Sequence, residues 1–204
     1  MNKGELRTHF KALLNRSDCT DALADTFISQ SISRILRTLR IPSMEAQHNY
    51  TISGSSGVGE VILPSNLIDM IDVHYDGMAL VRVPHHEMVE HQKTGKLGSP
   101  QFFTRVQGTL QITPRPTGGS LYLNYYAQPS ALVDDTDTSV ITDVGEDLIT
   151  YTALGYASDY FLDERGPLFE AKAATFLAEI QEQADRAETS GSTQVMRPTH
   201  RYED

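Results

Sequence analysis

The sequence predicts an α+β protein. We expect a four-helix α domain formed by N- and C-terminal helix pairs, an inserted antiparallel β-sheet or sandwich domain, and a flexible C-terminal tail. Three observations lead to this prediction: apolar residues recur with helical spacing near both ends of the chain, they alternate between tight turns in the middle, and the last residues have neither period. The expected segments are 1–48 for the first helix pair, 49–130 for the β domain, 131–188 for the second helix pair and 189–204 for the tail.

The first helix pair is predicted from two apolar stripes. Leu6, Phe10, Leu13 and Leu14 are spaced i, i+4, i+7 and i+8, which predicts a helix over residues 3–15. A second helix opens near Asp18 or Thr20, because both residue types are good N-caps. Its apolar positions are Leu23, Phe27, Ile28, Ile32, Ile35, Leu36 and Leu39. It ends before Pro42, since the residue that precedes a proline avoids the helical region.

The β domain is predicted from alternation and from two hairpin turns. Short strands are expected at 49–53, 58–63, 71–75, 78–83, 101–106, 109–113 and 120–127, with 84–92 as a short helix. Asp76-Gly77 and Gln107-Gly108 are typical of tight hairpin connections. In the last strand Leu121, Leu123 and Tyr125 alternate with Tyr122, Asn124 and Tyr126. An antiparallel sheet with one buried face follows, folded as a small sandwich.

The second helix pair is predicted over 145–163 and from Pro167 to about Ala184. Residues 131–143 are expected to be a loop rich in Asp and Thr, and Arg165-Gly166-Pro167 is expected to form a corner, with the proline suited to the first helical position. Residues 189–204 have no apolar period, and we expect them to be flexible when alone.

Composition restricts the possible functions. The 204 residues include 17 Lys and Arg against 27 Asp and Glu, a formal net charge of −10. Residues 129–188 hold three basic and fourteen acidic side chains, whereas residues 1–48 hold seven and five. A protein that wraps nucleic acid tightly is therefore excluded, because phosphate neutralisation needs clustered Lys and Arg. The single cysteine excludes an internal disulfide. No signal-peptide core or run of about 18 apolar residues is present, so we expect no membrane association and a cytoplasmic site of assembly.

Catalytic and metal motifs are weak. His86 and His91 are five residues apart, whereas two zinc ligands on one helical face need a spacing of four. The glycines of 54–59 connect predicted strands with no helix behind them, unlike a dinucleotide-binding loop. Asp134, Asp135 and Asp137 lack the spacing of a calcium loop. Cys19 precedes a helix start, which would lower its pKa, although a structural thiol is the simpler interpretation.

Several motifs together resemble the head-to-tail adaptors of tailed double-stranded DNA phages, including the tail tubular protein A type of short-tailed phages. The resemblance covers nearly the whole chain. Its strongest part is the ordered set Gly98-Ser99-Pro100, Gly108, Pro114-Arg115-Pro116 and the segment 125–132. Other segments also resemble segments of this family: the corner Leu14-Asn15-Arg16, the helix end 34–40, Met44-Glu45, Leu63-Pro64 and Tyr75-Asp76-Gly77.

The resemblance implies a structural virion protein at the head–tail junction, with no enzyme activity and no cofactor. It implies a homo-oligomeric, dodecameric ring below the portal protein, assembled in the host bacterial cytoplasm. The ring would extend the channel for DNA ejection and would present an attachment platform to the tail nozzle or tail tube protein. Genomic double-stranded DNA would pass through it without sequence-specific binding.

Two groups of candidate site residues follow. The tail residues expected to bind the portal are Met196, Arg197, Pro198, Arg201 and Tyr202. The residues expected at subunit or channel contacts are Arg34, Arg37, Arg40, Asp143, Glu146 and Asp147. Two alternatives stay open: a tail completion or neck protein of another phage type, and a metal-dependent enzyme that uses the region His85–His91.

Overall fold

The computed structural model describes residues 1–93 and 95–189 and confirms the predicted α+β class. Contacts along the chain divide it into two compact units. The helical unit consists of residues 1–43 together with the described residues from 130 onward, and the β unit consists of residues 44–129.

The helices and strands of the described residues follow in chain order. The helices are α1 (Lys3–Leu14), α2 (Asp21–Ile35), α3 (His85–Gln92), α4 (Val140–Val144), α5 (Glu146–Phe161) and α6 (Gly166–Thr189). The strands are β1 (Glu45–Ser53), β2 (Glu60–Ile62), β3 (Leu67–Tyr75), β4 (Met78–Ala79), β5 (Val81–Arg82), β6 (Phe102–Val106), β7 (Thr109–Thr113) and β8 (Gly118–Ala127). A short 3-10 turn, Pro42–Met44, precedes β1.

Side-chain caps define the first two helices. The Asn2 side chain accepts a hydrogen bond from the backbone N–H of Glu5, whose carboxylate accepts one from the Asn2 N–H, which forms a capping box. Thr20 caps α2 by accepting from the Leu23 N–H. The sequence therefore located both N-termini to within a few residues.

The core of the helical unit is built around α5. The buried residues of α5 include Leu148, Ile149, Ala153, Leu154 and Ala157, and α5 packs against α1, α2 and α6. Burial of apolar surface from several sides holds α5 in place without a strongly amphipathic pattern.

The β unit contains two four-stranded sheets, ordered β1-β8-β3-β4 and β2-β7-β6-β5. All pairings are antiparallel except β5 with β6. The Asp76-Gly77 turn has positive φ angles of 45° and 85°, as a tight hairpin with this chemistry requires. Leu121, Leu123 and Tyr125 are buried in the core, whereas the alternate residues of β8 are partly exposed, as the alternation predicted.

The structure corrects several local predictions: α2 ends at Ile35 rather than after Leu39, and β3 begins at Leu67 rather than at residue 71. Residues 78–83 were expected to form one strand, but Leu80 is buried and the chain there passes from β4 in one sheet to β5 in the other. β1 begins four residues earlier than expected, because Glu45 already pairs with Tyr126. The expected loop 131–143 ends in α4, where Ser139 and Thr142 form the capping contacts.

Candidate assembly surfaces

A charge seam joins the N-terminal helices to the loop before α4. Arg7 on α1 donates two hydrogen bonds to Asp25 on α2, at 2.6 and 2.8 Å. The same guanidinium donates two more to Asp135, at 3.1 and 2.6 Å. Lys3 lies 3.2 Å from Asp25. The surplus basic charge of the N-terminal segment is thus partly used to hold the acidic C-terminal segment.

The seam shifts the pKa values of its members. Partial burial opposes ionisation of Asp25, but hydrogen bonds from Arg7 and Lys3 outweigh it, so the pKa of Asp25 is lowered. Hydrogen bonding to Arg7 likewise lowers the pKa of Asp135. The pKa of Arg7 is raised in return, by its hydrogen bonds to the two carboxylates. All three groups are therefore charged at neutral pH.

A second ion pair lies between α2 and α6. The two terminal nitrogens of Arg34 each donate to one carboxylate oxygen of Glu170, both at 2.8 Å. The guanidinium also lies 5.9 Å from the ring centroid of Tyr156 on α5. Gly155 on α5 leaves room for the Glu170 carboxylate, because a Cβ atom at position 155 would lie 2.6 Å from a Glu170 oxygen. The pair lowers the pKa of Glu170.

An apolar groove opens beside this ion pair. We call it the α2–α6 groove; it has a volume of about 200 Å³ and is partly open to solvent. Its lining residues are Arg34, Ile35, Thr38, Leu148, Thr152, Glu170, Ala173, Ala174 and Leu177. The groove is therefore walled by aliphatic side chains and has one bidentate ion pair at its edge.

The other two predicted arginines differ in their surroundings. Arg40 donates to the carbonyl oxygens of Leu36 and Leu39, at 3.0 and 2.7 Å, and so satisfies the end of α2. Arg37 is exposed and lines a polar depression that includes Tyr156. Arg34 and Arg37 are thus near each other on the surface, whereas Arg40 has a local structural role.

The three predicted acidic residues cluster at the α4–α5 junction. Asp143 lies 3.8 Å from the N-terminal amine of Met1. Glu146 and Asp147 occupy the first turn of α5, where negative charge is favoured by the helix dipole. Neither side chain makes an ion pair with the part of the chain that the structure describes. Asp143 and Asp147 are exposed and Glu146 is half-buried, so the junction carries a negative surface patch.

A third feature is the corner between α5 and α6, residues 159–168. Leu162 ends α5 with φ 54° and ψ 44° and is 90% exposed. Tyr160 and Leu168 are exposed nearby, at 63% and 54%. Arg165 donates to Asp163, which lowers the pKa of that carboxyl to about 2, and also to the Leu14 carbonyl. The corner is thus hydrogen-bonded to the last residue of α1 and exposes three large apolar side chains.

The histidine region forms part of the β unit. His85 and His86 are exposed on α3, and His91 stacks on Phe102 with ring centroids 4.4 Å apart. Among residues 1–93 and 95–189, no group of three or more His, Cys, Asp or Glu is arranged to hold a metal ion.

The other motifs have local roles. Asp137 accepts hydrogen bonds from the backbone N–H groups of Val133 and Asp134, both at 2.8 Å. Cys19 is buried, and its burial raises the pKa of the thiol, which favours a structural thiol over one activated by the helix start. In the described part of the chain no helix has the length and apolarity needed to cross a membrane.

The predicted portal-binding tail residues, Met196, Arg197, Pro198, Arg201 and Tyr202, lie outside the described residues. Of the other predicted site residues, the structure brings Arg34 and Arg37 to one surface and Asp143, Glu146 and Asp147 to another.

Comparison with models of known protein families identifies the family of this chain. A family model described as SU10 adaptor protein matches residues 1–201. The chain belongs to the SU10 adaptor protein family. This membership confirms the resemblance to phage head-to-tail adaptors. The family match spans both units of the SU10 adaptor chain. A search of curated proteins gave no match to this chain.

Sequence reasoning missed Glu170 and Leu162. Glu170 is one of fourteen acidic residues in its segment, and only the packing of α2 on α6 shows that Arg34 binds it. Leu162 fits the apolar pattern of α5, and only its left-handed backbone shows that it points away from the core.

Proposed function

We propose that this protein is the head-to-tail adaptor of a tailed phage: a structural virion protein whose copies form a dodecameric ring below the portal. The ring would extend the DNA channel and provide the platform to which the tail nozzle attaches. The match of the SU10 adaptor family to residues 1–201 carries this proposal. The remaining observations are consistent with it and suggest how each part contributes.

The two units suit two kinds of contact. The helical unit is formed from both ends of the chain, and the β unit is inserted between α2 and α4. We assign ring contacts to the helical unit, because its packed helices offer rigid side surfaces for a heterologous interface. We assign the tail-facing contact to the β unit, whose outer strands leave backbone groups available to a partner.

The distribution of acidic residues supports a channel that DNA traverses. Several carboxylates of residues 129–188, including Asp135, Asp163 and Glu170, are used in ion pairs. We assign Asp143, Glu146 and Asp147 to the channel wall. Carboxylates there repel phosphates, whereas each Lys or Arg contact would retain DNA by releasing counterions.

We assign portal binding to the tail, through Met196, Arg197, Pro198, Arg201 and Tyr202. Arg and Tyr are common energetic anchors of protein interfaces. A segment that orders on binding can cover a large partner surface. Binding to the portal through these residues would place the protein in the virion, where its role is structural.

Deletion of residues 189–204 tests the tail assignment. The truncated chain should keep its circular dichroism spectrum and thermal transition, because the cores of both units lie within residues 1–188. Its binding to purified portal should be lost. The matched control is the full-length chain with Thr193→Ser, at a position of the same segment outside the assigned portal contacts, and it should still bind. Portal binding by the truncated chain at full-length affinity would contradict the assignment.

A further inference from the structure

Leu162 is placed in a way that folding alone does not favour. It is 90% exposed, so it contributes little to the core, and its φ of 54° is left-handed. This backbone conformation costs a residue with a Cβ atom about 1–2 kcal/mol. The other described non-glycine residues with positive φ are Asn15, Asp76 and Gln107, all of them polar. A leucine here loses stability on two counts, which indicates that its side chain has a partner outside the chain.

The α2–α6 groove has the properties of a receptor for such a side chain. Its walls include Ile35, Leu148, Ala173 and Leu177, and its volume is about 200 Å³. An apolar cavity of about 150 Å³ in another protein is large enough to bind benzene. One branched aliphatic side chain therefore fits in the groove.

A chain cannot fill its own groove with its own Leu162. Leu148 and Thr152 line the groove, and they lie 14 and 10 residues before Leu162. At a rise of about 1.5 Å per residue, these positions are about 15–21 Å apart along α5. A contact between the two features must therefore join two copies. Because the features differ, that contact is heterologous and can repeat from copy to copy.

The charges beside the two features are complementary. Asp159 and Glu164 are exposed on either side of Leu162, and neither forms an ion pair within the described part of the chain. At the groove the charge of Arg34 is already balanced by Glu170, whereas Arg37, just past the end of α2, is exposed and forms no ion pair within the described part of the chain. Complementary charges of this kind orient two surfaces as they meet and suppress the reverse orientation.

We propose that Leu162 of one copy inserts into the α2–α6 groove of the next copy, and that this contact repeats around the ring. The inference rests on the proposed ring and adds its subunit interface. In this arrangement Asp159 and Glu164, which flank Leu162, face Arg37 of the neighbouring copy.

Cross-linking between copies tests the geometry. The variant Leu162→Cys with Ala174→Cys carries one thiol at the corner and one at the groove, and the native Cys19 is buried. Assembled on purified portal and treated with a short bismaleimide, it should give a ladder of covalent oligomers beyond the dimer. Each single variant should give no ladder. The pair Leu162→Cys with Ala187→Cys is the matched control, because Ala187 is exposed on α6 but does not line the groove.

A second variant keeps the fold and removes the contact. Leu162→Asn retains a residue that tolerates the left-handed conformation. Its affinity for neighbouring copies on the portal should fall about tenfold or more, because the buried aliphatic side chain is lost. Ile62→Thr, at a 78% exposed position in the β unit, is the control and should assemble normally.

The outcomes separate this inference from the function on which it rests. If the wild-type chain forms rings on the portal but the double-cysteine variant assembles without a ladder, or Leu162→Asn assembles as wild type, the proposed interface is wrong and the ring stands. If the wild-type chain does not bind portal at all, the adaptor function itself fails, and the interface fails with it.

Discussion

Arg34 near the end of α2 and Glu170 on α6 form a bidentate ion pair, with both nitrogen–oxygen distances at 2.8 Å. The pair joins the N-terminal helices to the C-terminal helices and also borders the α2–α6 groove. Bidentate geometry restricts both side chains and fixes one edge of that groove. One pair therefore links the packing of the helical unit to its candidate assembly surface.

Loss of the Arg34–Glu170 ion pair should have a small effect on the stability of the fold. Because both side chains are nearly half exposed, Glu170→Gln should lower the free energy of unfolding by only about 0.5–1 kcal/mol. Urea denaturation measures the change. In Glu170→Gln, the number of copies bound per portal should fall by more than this small loss of stability explains. Equal stability loss from Glu179→Gln, which makes no ion pair among the described residues, would contradict a specific role for Glu170.

Arg7 should be more important for stability. Its side chain is 15% exposed and binds two carboxylates, and Asp25 is only 27% exposed. Arg7→Met should lower the free energy of unfolding by about 2 kcal/mol, because partly buried acceptors lose their charged donor. Lys11→Met, which removes a more exposed ion pair with Asp21, is the control and should cost less than about 1 kcal/mol. Similar losses of unfolding free energy in both variants would show that the contacts of Arg7 stabilise the fold no more than an exposed ion pair does.

Acid should destabilise the helical unit. The pKa values of Asp25, Asp135 and Glu170 are lowered in the folded chain, and that of Asp163 is lowered to about 2. Their contribution is complete above the ordinary carboxyl pKa of about 4 and is lost as the pH falls toward 2. Urea midpoints measured between pH 7 and pH 2 should decrease, and the decrease should be shallower in Arg7→Met. If the urea midpoint depended on pH identically in the wild type and in Arg7→Met, the proposed contribution of the Arg7 ion pairs would be contradicted.

Gly119 in β8 should not tolerate a side chain. It has φ 102°, and a Cβ atom would lie 2.5 Å from both the Asp76 carboxylate and the Tyr75 hydroxyl. Gly119→Ala should therefore destabilise the β unit by about 2 kcal/mol or more. Gly108→Ala is the matched control, since nothing lies within 4 Å of its Cβ position. Thermal denaturation of the two variants should separate them clearly, and equal midpoints would refute the steric argument.

Leu162→Gly should raise stability while it weakens assembly. Glycine adopts the left-handed conformation without a Cβ penalty, so the free energy of unfolding should increase by about 1 kcal/mol. Chemical denaturation tests the sign. A decrease would indicate that Leu162 packs within its own chain, against its 90% exposure.

Much of the fold follows from local rules in the sequence. Helical periodicity locates α1, α2, α5 and α6, and the Asp76-Gly77 chemistry locates one hairpin. The break at Leu80 was not predictable in this way, because two short strands in different sheets have the same alternation as one continuous strand. The choice between them is made by pairing partners distant in sequence.

The candidate surfaces were less predictable than the elements. The charge at Arg34 was visible in the sequence, but its partner Glu170 is 136 residues away. Leu162 lies within the predicted helix 145–163, but α5 ends there in a left-handed residue that turns the side chain outward. Both depend on tertiary packing, which periodicity does not encode.

The central claim is that copies of this chain form a ring on a phage portal. Native mass spectrometry of the purified portal, alone and with an excess of the adaptor, tests it most directly. If the copies form this ring, the mass of the complex rises by a whole number of 22.7 kDa chains equal to the ring copy number of the portal. A portal whose mass does not change, or that binds isolated copies without reaching that number at saturation, would contradict it.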